Sequence, residues 1–230
     1  MTKKSAGMTR SKRHAVQAGS SGAVTLGSHK KQADENNRNL PYTLAFRVPV
    51  SFRGYLSACQ QKLVQVCNSF EAPETAHLTV KFLGFSSDFL DDARIVELLP
   101  EIHAIAAKYL PLKIYMRGFE LFRYAEGRAT VVFLKVLPCT ALTDLHNEVC
   151  DRFREFEVFP HADKDNYQPH ITLSKDLKAG CGELLQRIVN RSRKMAKRHL
   201  KVSDLVVMSP NRMFPVMAEV PEHLICPPVK

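Results

Sequence analysis

Two short stretches of this sequence set a histidine two residues before a threonine: His77-Leu78-Thr79-Val80 and His170-Ile171-Thr172-Leu173. Along an extended strand, side chains alternate between faces. Each stretch would therefore place an imidazole beside a hydroxyl on a polar face, with aliphatic side chains on the other face to anchor it to a core. Lys81 continues the polar face of the first stretch and Ser174 that of the second. Two such faces meeting across a groove suit the chemistry of a phosphodiester. One proton must leave the attacking oxygen and another must reach the departing oxygen. With an unperturbed pKa of about 6.5, one histidine can be neutral and a second protonated near neutral pH. Thr79 and Thr172 would donate hydrogen bonds to non-bridging oxygens and stabilise the charge that builds on them. Neither stretch carries a carboxylate or a third histidine at metal-ligand spacing, so the expectation is no metal and no cofactor.

A lone strand histidine is more often structural than catalytic; the matched pair in matched settings reverses that weighting. The other histidines (His14, His29, His103, His146, His161, His199 and His223) lack the setting and read as surface or structural residues. Only His161, in the loop before the second stretch, stays in view. Lys81 and Tyr167 are further candidate ligand contacts. Lys81 shares the His77 face, and Tyr167 precedes Pro169 and would either stack on a base or fill the core.

The elements that must position these residues follow from hydrophobic periodicity. YTLAFRVPV (42–50) alternates as a strand. Phe52, Tyr55, Leu56, Cys59, Leu63, Val66 and Cys67 recur at three and four, the pattern of an amphipathic helix. A strand over 77–84 follows, then a helical stretch over 88–109 in which Pro100 marks a break or a new first turn. LKIYMRGFELF (112–122) and ATVVFLKVL (129–137) read as strands joined by a turn at AEGR. Leu142, Leu145, Val149, Phe153 and Phe156 define another amphipathic helix. After a polar loop over 160–168 come a strand at 169–175, a strongly basic helix over 181–199, a strand at 201–208 and a further strand at 214–220. This is an α+β pattern whose halves each hold a helix followed by a histidine strand.

The formal charge is +10, and residues 1–40 carry eight Lys/Arg against two Asp/Glu. That segment is rich in Ser, Gly, Lys, Arg and Asn, has no sustained hydrophobic period, and is expected to be a disordered basic tail before a domain spanning 41–230. It would attract phosphate-rich partners or merely solubilise the chain. The absence of acidic residues before Asp34 also fits a mitochondrial presequence, and TRSKRH a nuclear signal. No apolar run approaches the roughly 20 residues that span a bilayer. A cytoplasmic, monomeric protein is expected, with nucleus or mitochondrion as addresses the tail would serve. The six cysteines form no C-x-x-C pair and are expected to be reduced, with no zinc site.

The stretches PETAHLTVKFLG and YQPHITLSK, with the strand and helix before them, resemble the 2H phosphoesterase superfamily. The nearest branch is the RNA 2′,3′-cyclic phosphodiesterases, also called 2′-5′ RNA ligases. The resemblance spans roughly residues 41–210. It implies a bilobal fold of two pseudo-symmetric lobes, with antiparallel sheets forming a central groove and helices outside. It implies His77 and His170 as catalytic, Thr79 and Thr172 as phosphate contacts, and RNA or an oligonucleotide as substrate. The expected activity is metal-independent hydrolysis of 2′,3′-cyclic phosphate termini, with reversible 2′-5′ joining where ligase activity exists. Two alternatives stand beside it. One is a 2′-5′ oligoadenylate phosphodiesterase. The other is a non-catalytic RNA- or nucleotide-binding module, suggested by the tail and by Arg187, Arg191, Arg193, Lys194, Lys197, Arg198 and Lys201.

Overall fold

The computed structural model describes residues 40–86, 90–123, 131–154, 167–209 and 212–216. The expectations for residues 1–39, the AEGR turn, most of the 160–168 loop with His161, and the chain beyond Val216 fall outside them.

Ten strands and four helices alternate along the described chain: β1 (Pro41–Arg47), α1 (Val50–Gln61), β2 (Cys67–Ser69), β3 (His77–Phe85), α2 (Asp92–Ala106), β4 (Leu112–Phe122), β5 (Val131–Val136), α3 (Thr140–Arg152), β6 (His170–Ser174), β7 (Asp176–Leu177), α4 (Gly182–Ser192), β8 (Arg198–Val202), β9 (Leu205–Ser209) and β10 (Arg212–Pro215). Eight strands form one antiparallel sheet in the order β10-β9-β1-β3-β6-β5-β4-β8, and β2 pairs with β7 in a small second sheet. The architecture is α+β with antiparallel pairing.

The sheet divides into two four-stranded halves that meet at β3 and β6. Each half-chain runs strand, helix, histidine strand, helix, strand: β1-α1-β3-α2-β4, then β5-α3-β6-α4 and onward. The closing strands are exchanged. β4 leaves the first half-chain and pairs with β5, while β9 leaves the second and pairs with β1. The first helices are exchanged as well, because α1 packs against β6 and α3 against β3.

The core forms where apolar stripes meet. Leu44, Phe46, Leu78, Val80, Leu134, Ile171 and Leu173 face the fully buried Leu56, Leu142, Leu145 and Val149 of the helices. Each such side chain contributes about 1.5–3 kcal/mol on leaving water. Asp91 caps α2, its carboxylate accepting from Arg94 N at 2.8 Å. Gly118, at φ +76°, bends β4 onto α4; a Cβ there would meet the Ser192 carbonyl oxygen at 3.1 Å, so the close approach requires glycine.

Several boundaries differ from the sequence reading. α1 stops at Gln61, and turns carry the chain to β2, with Leu63, Val66 and Cys67 still buried. α2 runs through Pro100 as one helix. The basic stretch expected as helix to residue 199 is helical only to Ser192, and Arg198–Val202 is strand β8. The single strand expected at 201–208 is the end of β8 and most of β9, separated at Ser203–Asp204. Among the described residues no helix is long and apolar enough to cross a membrane.

Candidate active site

β3 and β6 lie side by side at the centre of the sheet, joined through the pair Leu78↔Ile171. In that antiparallel register His77 stands across from Thr172, and Thr79 across from His170. The two histidines and two threonines therefore share one face, the partly exposed one, while Leu78 and Ile171 are buried on the other. Directly opposed residues in such a pair have Cα atoms about 4.5–5.5 Å apart.

Both imidazoles are held in the same way. His77 Nδ1 lies 2.9 Å from the Thr75 carbonyl oxygen, and His170 Nδ1 lies 2.8 Å from the Gln168 carbonyl oxygen. A carbonyl only accepts, so each Nδ1 carries the proton. That bond sets the tautomer and leaves each Nε2 for chemistry.

The surroundings of the two rings are unequal. His170 packs edge-on against Phe122 at 4.9 Å between centroids and lies 5.0 Å from Phe133; those two phenylalanines stack at 4.4 Å. Burial holds the His170 imidazole below the ordinary histidine value. Its bond to Gln168 works against that shift, and the charges of His77 and Lys175 add to it. The proximity of the two rings follows from the register, which sets His77 across from Thr172 and Thr79 across from His170.

A β-bulge follows each H-x-T. Leu44 pairs with Lys81 and Ala45 with Thr79, so Val80 is the extra residue of β3. Val132 pairs with Ser174 and Phe133 with Thr172, so Leu173 is the extra residue of β6. A bulge resets the alternation of side chains. Lys81, expected beside His77, is turned into the interior at 2% exposure, with Nζ 3.7 Å from Cys150 Sγ. Ser174 is likewise fully buried. The Lys81 ammonium is thus not on the histidine face.

Tyr167 is the core alternative of its two readings. Its ring stacks on His146 at 3.7 Å and 6°, and its hydroxyl donates to the Thr79 carbonyl oxygen at 2.9 Å. Burial pushes that hydroxyl's pKa far above its ordinary value. His146 Nδ1 donates to the Val80 carbonyl oxygen at 2.6 Å. Tyr167 and His146 thereby occupy two backbone acceptors at the bulge, and so brace the strand from behind.

Two cations on the open face escaped the sequence reading. Arg47 pairs across from His77, and Lys135 across from His170. Arg47 meets Asp204 at 3.4 Å, and Lys135 Nζ donates to Glu120 at 2.5 Å. The other oxygen of Glu120 accepts from Gln168 Nε2 at 3.2 Å, which ties this network to the residue that orients His170. An internal alignment of AFRV (45–48) with FLKV (133–136) sets Arg47 against Lys135 and carries the signal for both. Among the described residues no group of three or more His, Cys, Asp or Glu side chains converges in a way that would hold a metal ion.

Paired H-x-T strands at the centre of an antiparallel α+β sheet agree with what comparison of the sequence finds. The family model described as the 2'-5' RNA ligase superfamily matches residues 57–212, and the chain belongs to that superfamily, the 2H phosphoesterases. Among solved structures, LigT of E. coli complexed with 3'-AMP is similar at 16% identity, covering 77% of this chain and 94% of that one, with a TM-score of 0.45. LigT complexed with ATP is similar at 18% identity, covering 77% and 95%, with a TM-score of 0.45. TT0787 of Thermus thermophilus is similar at 20% identity, covering 78% and 99%, with a TM-score of 0.48. No curated protein sequence matches the chain.

Proposed function

We propose that the chain is a phosphodiesterase that opens terminal 2′,3′-cyclic phosphates on RNA by acid–base catalysis between His77 and His170. The observation that carries this reading is the duplicated imidazole mount. Each Nδ1 is spent on a carbonyl two residues earlier, and each Nε2 is left for a phosphate lying between the strands. Superfamily membership supports the same chemistry.

His170 is the base in this scheme. Its burial disfavours the imidazolium, so its Nε2 is unprotonated at neutral pH and accepts the proton of the attacking water. The water oxygen bonds to phosphorus as one P–O ribose bond breaks. His77, protonated at Nε2, gives its proton to the departing ribose oxygen. The Thr79 and Thr172 hydroxyls donate to the non-bridging oxygens, with Arg47 and Lys135 supplying positive charge beside them. The two half-sheets act as two lobes whose open faces form the groove. Reversal of the same proton transfers would join an RNA end at a 2′-5′ linkage.

The test is direct. The purified protein is incubated with an oligonucleotide ending in a 2′,3′-cyclic phosphate and, in parallel, with a 2′-5′ oligoadenylate, and the products are identified. Opening of the cyclic phosphate in preference to the oligoadenylate is the expected result. Cleavage of the oligoadenylate alone transfers the site to that substrate, and no turnover of either removes the enzymatic reading.

A further inference from the structure

The open face of the sheet does not end at His170. Lys135 stands across from His170, and the bulged pair Arg117–Gly118 of β4 stands across from Lys135. Beyond it, Leu112, Ile114 and Met116 point into the core. Lys113, Tyr115 and Arg117 therefore take the same outward face as Lys135. On the neighbouring edge strand Lys201 pairs with Lys113 and His199 with Tyr115. Lys197, His199 and Lys201, which alternate with the core-facing Leu200 and Val202, are all exposed. The result is a row of cations that begins beside the imidazoles and runs onto the β4–β8 ribbon.

Three features separate this row from an ordinary solvated surface. Lys113 and Lys201 are directly opposed, an arrangement that destabilises a strand pair when nothing lies between the charges. Among the described residues no carboxylate pairs with Lys113, Arg117, Lys197 or Lys201, whereas Arg47, Lys108, Lys135, Lys175 and Arg212 each meet one. And the row surrounds an aromatic ring. Tyr115 is half-buried, with Lys197 Nζ 4.1 Å and Lys113 Nζ 5.3 Å from its centroid and His199 at 5.8 Å between ring centres.

We infer that this face is a track for the single-stranded arm of an RNA substrate, with Tyr115 as a stacking platform for one base and the surrounding lysines and Arg117 on the flanking phosphates. The inference rests on the phosphodiesterase reading for what happens at the end of the arm, but binding along the track is independent of it. A lysine lying on an exposed ring is worth about 0.5–1 kcal/mol. A base stacked on an aromatic is worth about 1–3 kcal/mol. A base therefore displaces Lys197 from the ring, and the freed ammonium turns to a phosphate. The arm gives a reason for the unpaired cations, and it sets the substrate class: an oligonucleotide rather than a free cyclic mononucleotide.

The test uses the full chain and a labelled single-stranded oligoribonucleotide of about ten residues with a 3′-phosphate end, within the range of single-strand site sizes. Affinity is read by fluorescence anisotropy over a salt series. Tyr115→Ala is expected to weaken binding on the order of tenfold. The triple change Lys113→Ala, Arg117→Ala and Lys197→Ala is expected to reduce the slope of log affinity against log salt by about 2, at about 0.7 for each phosphate no longer neutralised. Arg94→Ala, which removes one charge on α2, serves as the control and is expected to leave both quantities as they are. Thermal unfolding of each variant reports whether it is folded. In turnover, the expected advantage of a cyclic-phosphate oligonucleotide over a cyclic mononucleotide in KM shrinks toward unity in the triple variant. Folded Tyr115 and triple variants that bind like the parent would overturn the track. Should the parent turn over neither substrate, the catalytic reading falls while the binding series still decides the track.

Discussion

Leu78 pairs with Ile171, and among the described residues that one register pair joins β3 to β6. That pair fixes the register of the two H-x-T faces, and both of its side chains are buried. Ile171→Ala is expected to cost about 2–5 kcal/mol of stability, the range for emptying a buried aliphatic site. Denaturant unfolding measures this. Turnover of the folded fraction should fall as well, because the same side chain holds His170 and Thr172 in register.

Removing either imidazole should stop the chemistry without unfolding the protein. His77→Ala and His170→Ala are each expected to lower kcat by about 10²–10⁴-fold, the range for loss of a positioned acid or base. A chelator is expected to leave turnover unchanged. Full activity in either variant, at unaltered thermal stability, would end the paired-histidine mechanism.

The hydroxyls should act on the transition state. Thr79→Ala and Thr172→Ala are each expected to lower kcat by about 10²-fold with little change in KM, as for loss of a donor to a developing oxyanion. Thr→Ser at the same positions keeps the donor and should restore most of the rate. Steady-state kinetics on the cyclic-phosphate oligonucleotide distinguishes the cases.

The depressed His170 pKa predicts two pH effects. The acid limb of the rate profile, where the base is lost, should lie below the ordinary histidine range. Stability should show the same group. The unfolded chain binds this proton more readily than the folded one, so the contribution is complete above about pH 6.5 and is lost as pH falls through the folded value. Comparing unfolding across that window in the parent and in His170→Asn should show a flatter dependence in the variant.

Tyr167 should behave as a structural residue. Tyr167→Phe keeps the stack on His146 but leaves the Thr79 carbonyl without its donor. A loss of about 1–3 kcal/mol in stability is expected. A change in KM larger than the change in kcat would instead make the ring a ligand contact.

Much of this arrangement was legible in the residues. Unbroken alternation identified the histidine strands, because His77, Thr79, His170 and Thr172 alternate with aliphatic residues that the core requires. The span of β4 was legible in LKIYMRGFELF for the same reason. Lys81 was misplaced because alternation is a local rule, and a bulge is a property of two strands. Only the pairing of Leu44 with Lys81 and Ala45 with Thr79 reveals it. The basic segment hid another boundary. The apolar stripe of Leu185 and Val189 stops at Ser192, and the period of two in Leu200 and Val202 is too short to stand out among charges. Arg47 and Lys135 were missed for a different reason. Each acquires meaning only from the histidine placed opposite by pairing.

The exchange of β4 and β9 between the half-sheets carries a topological consequence. A cut through the chain between Phe122 and Val131 would part the sequence into its two repeats, yet neither piece would own a whole sheet. The first would hold β4 with its partner β5 missing, and the second would hold β9 with its partner β1 missing. Each histidine would then sit in a fragment that lacks edges only the other can supply. The duplicated halves are partners locked by mutual completion, and the two imidazoles can meet only when both are present.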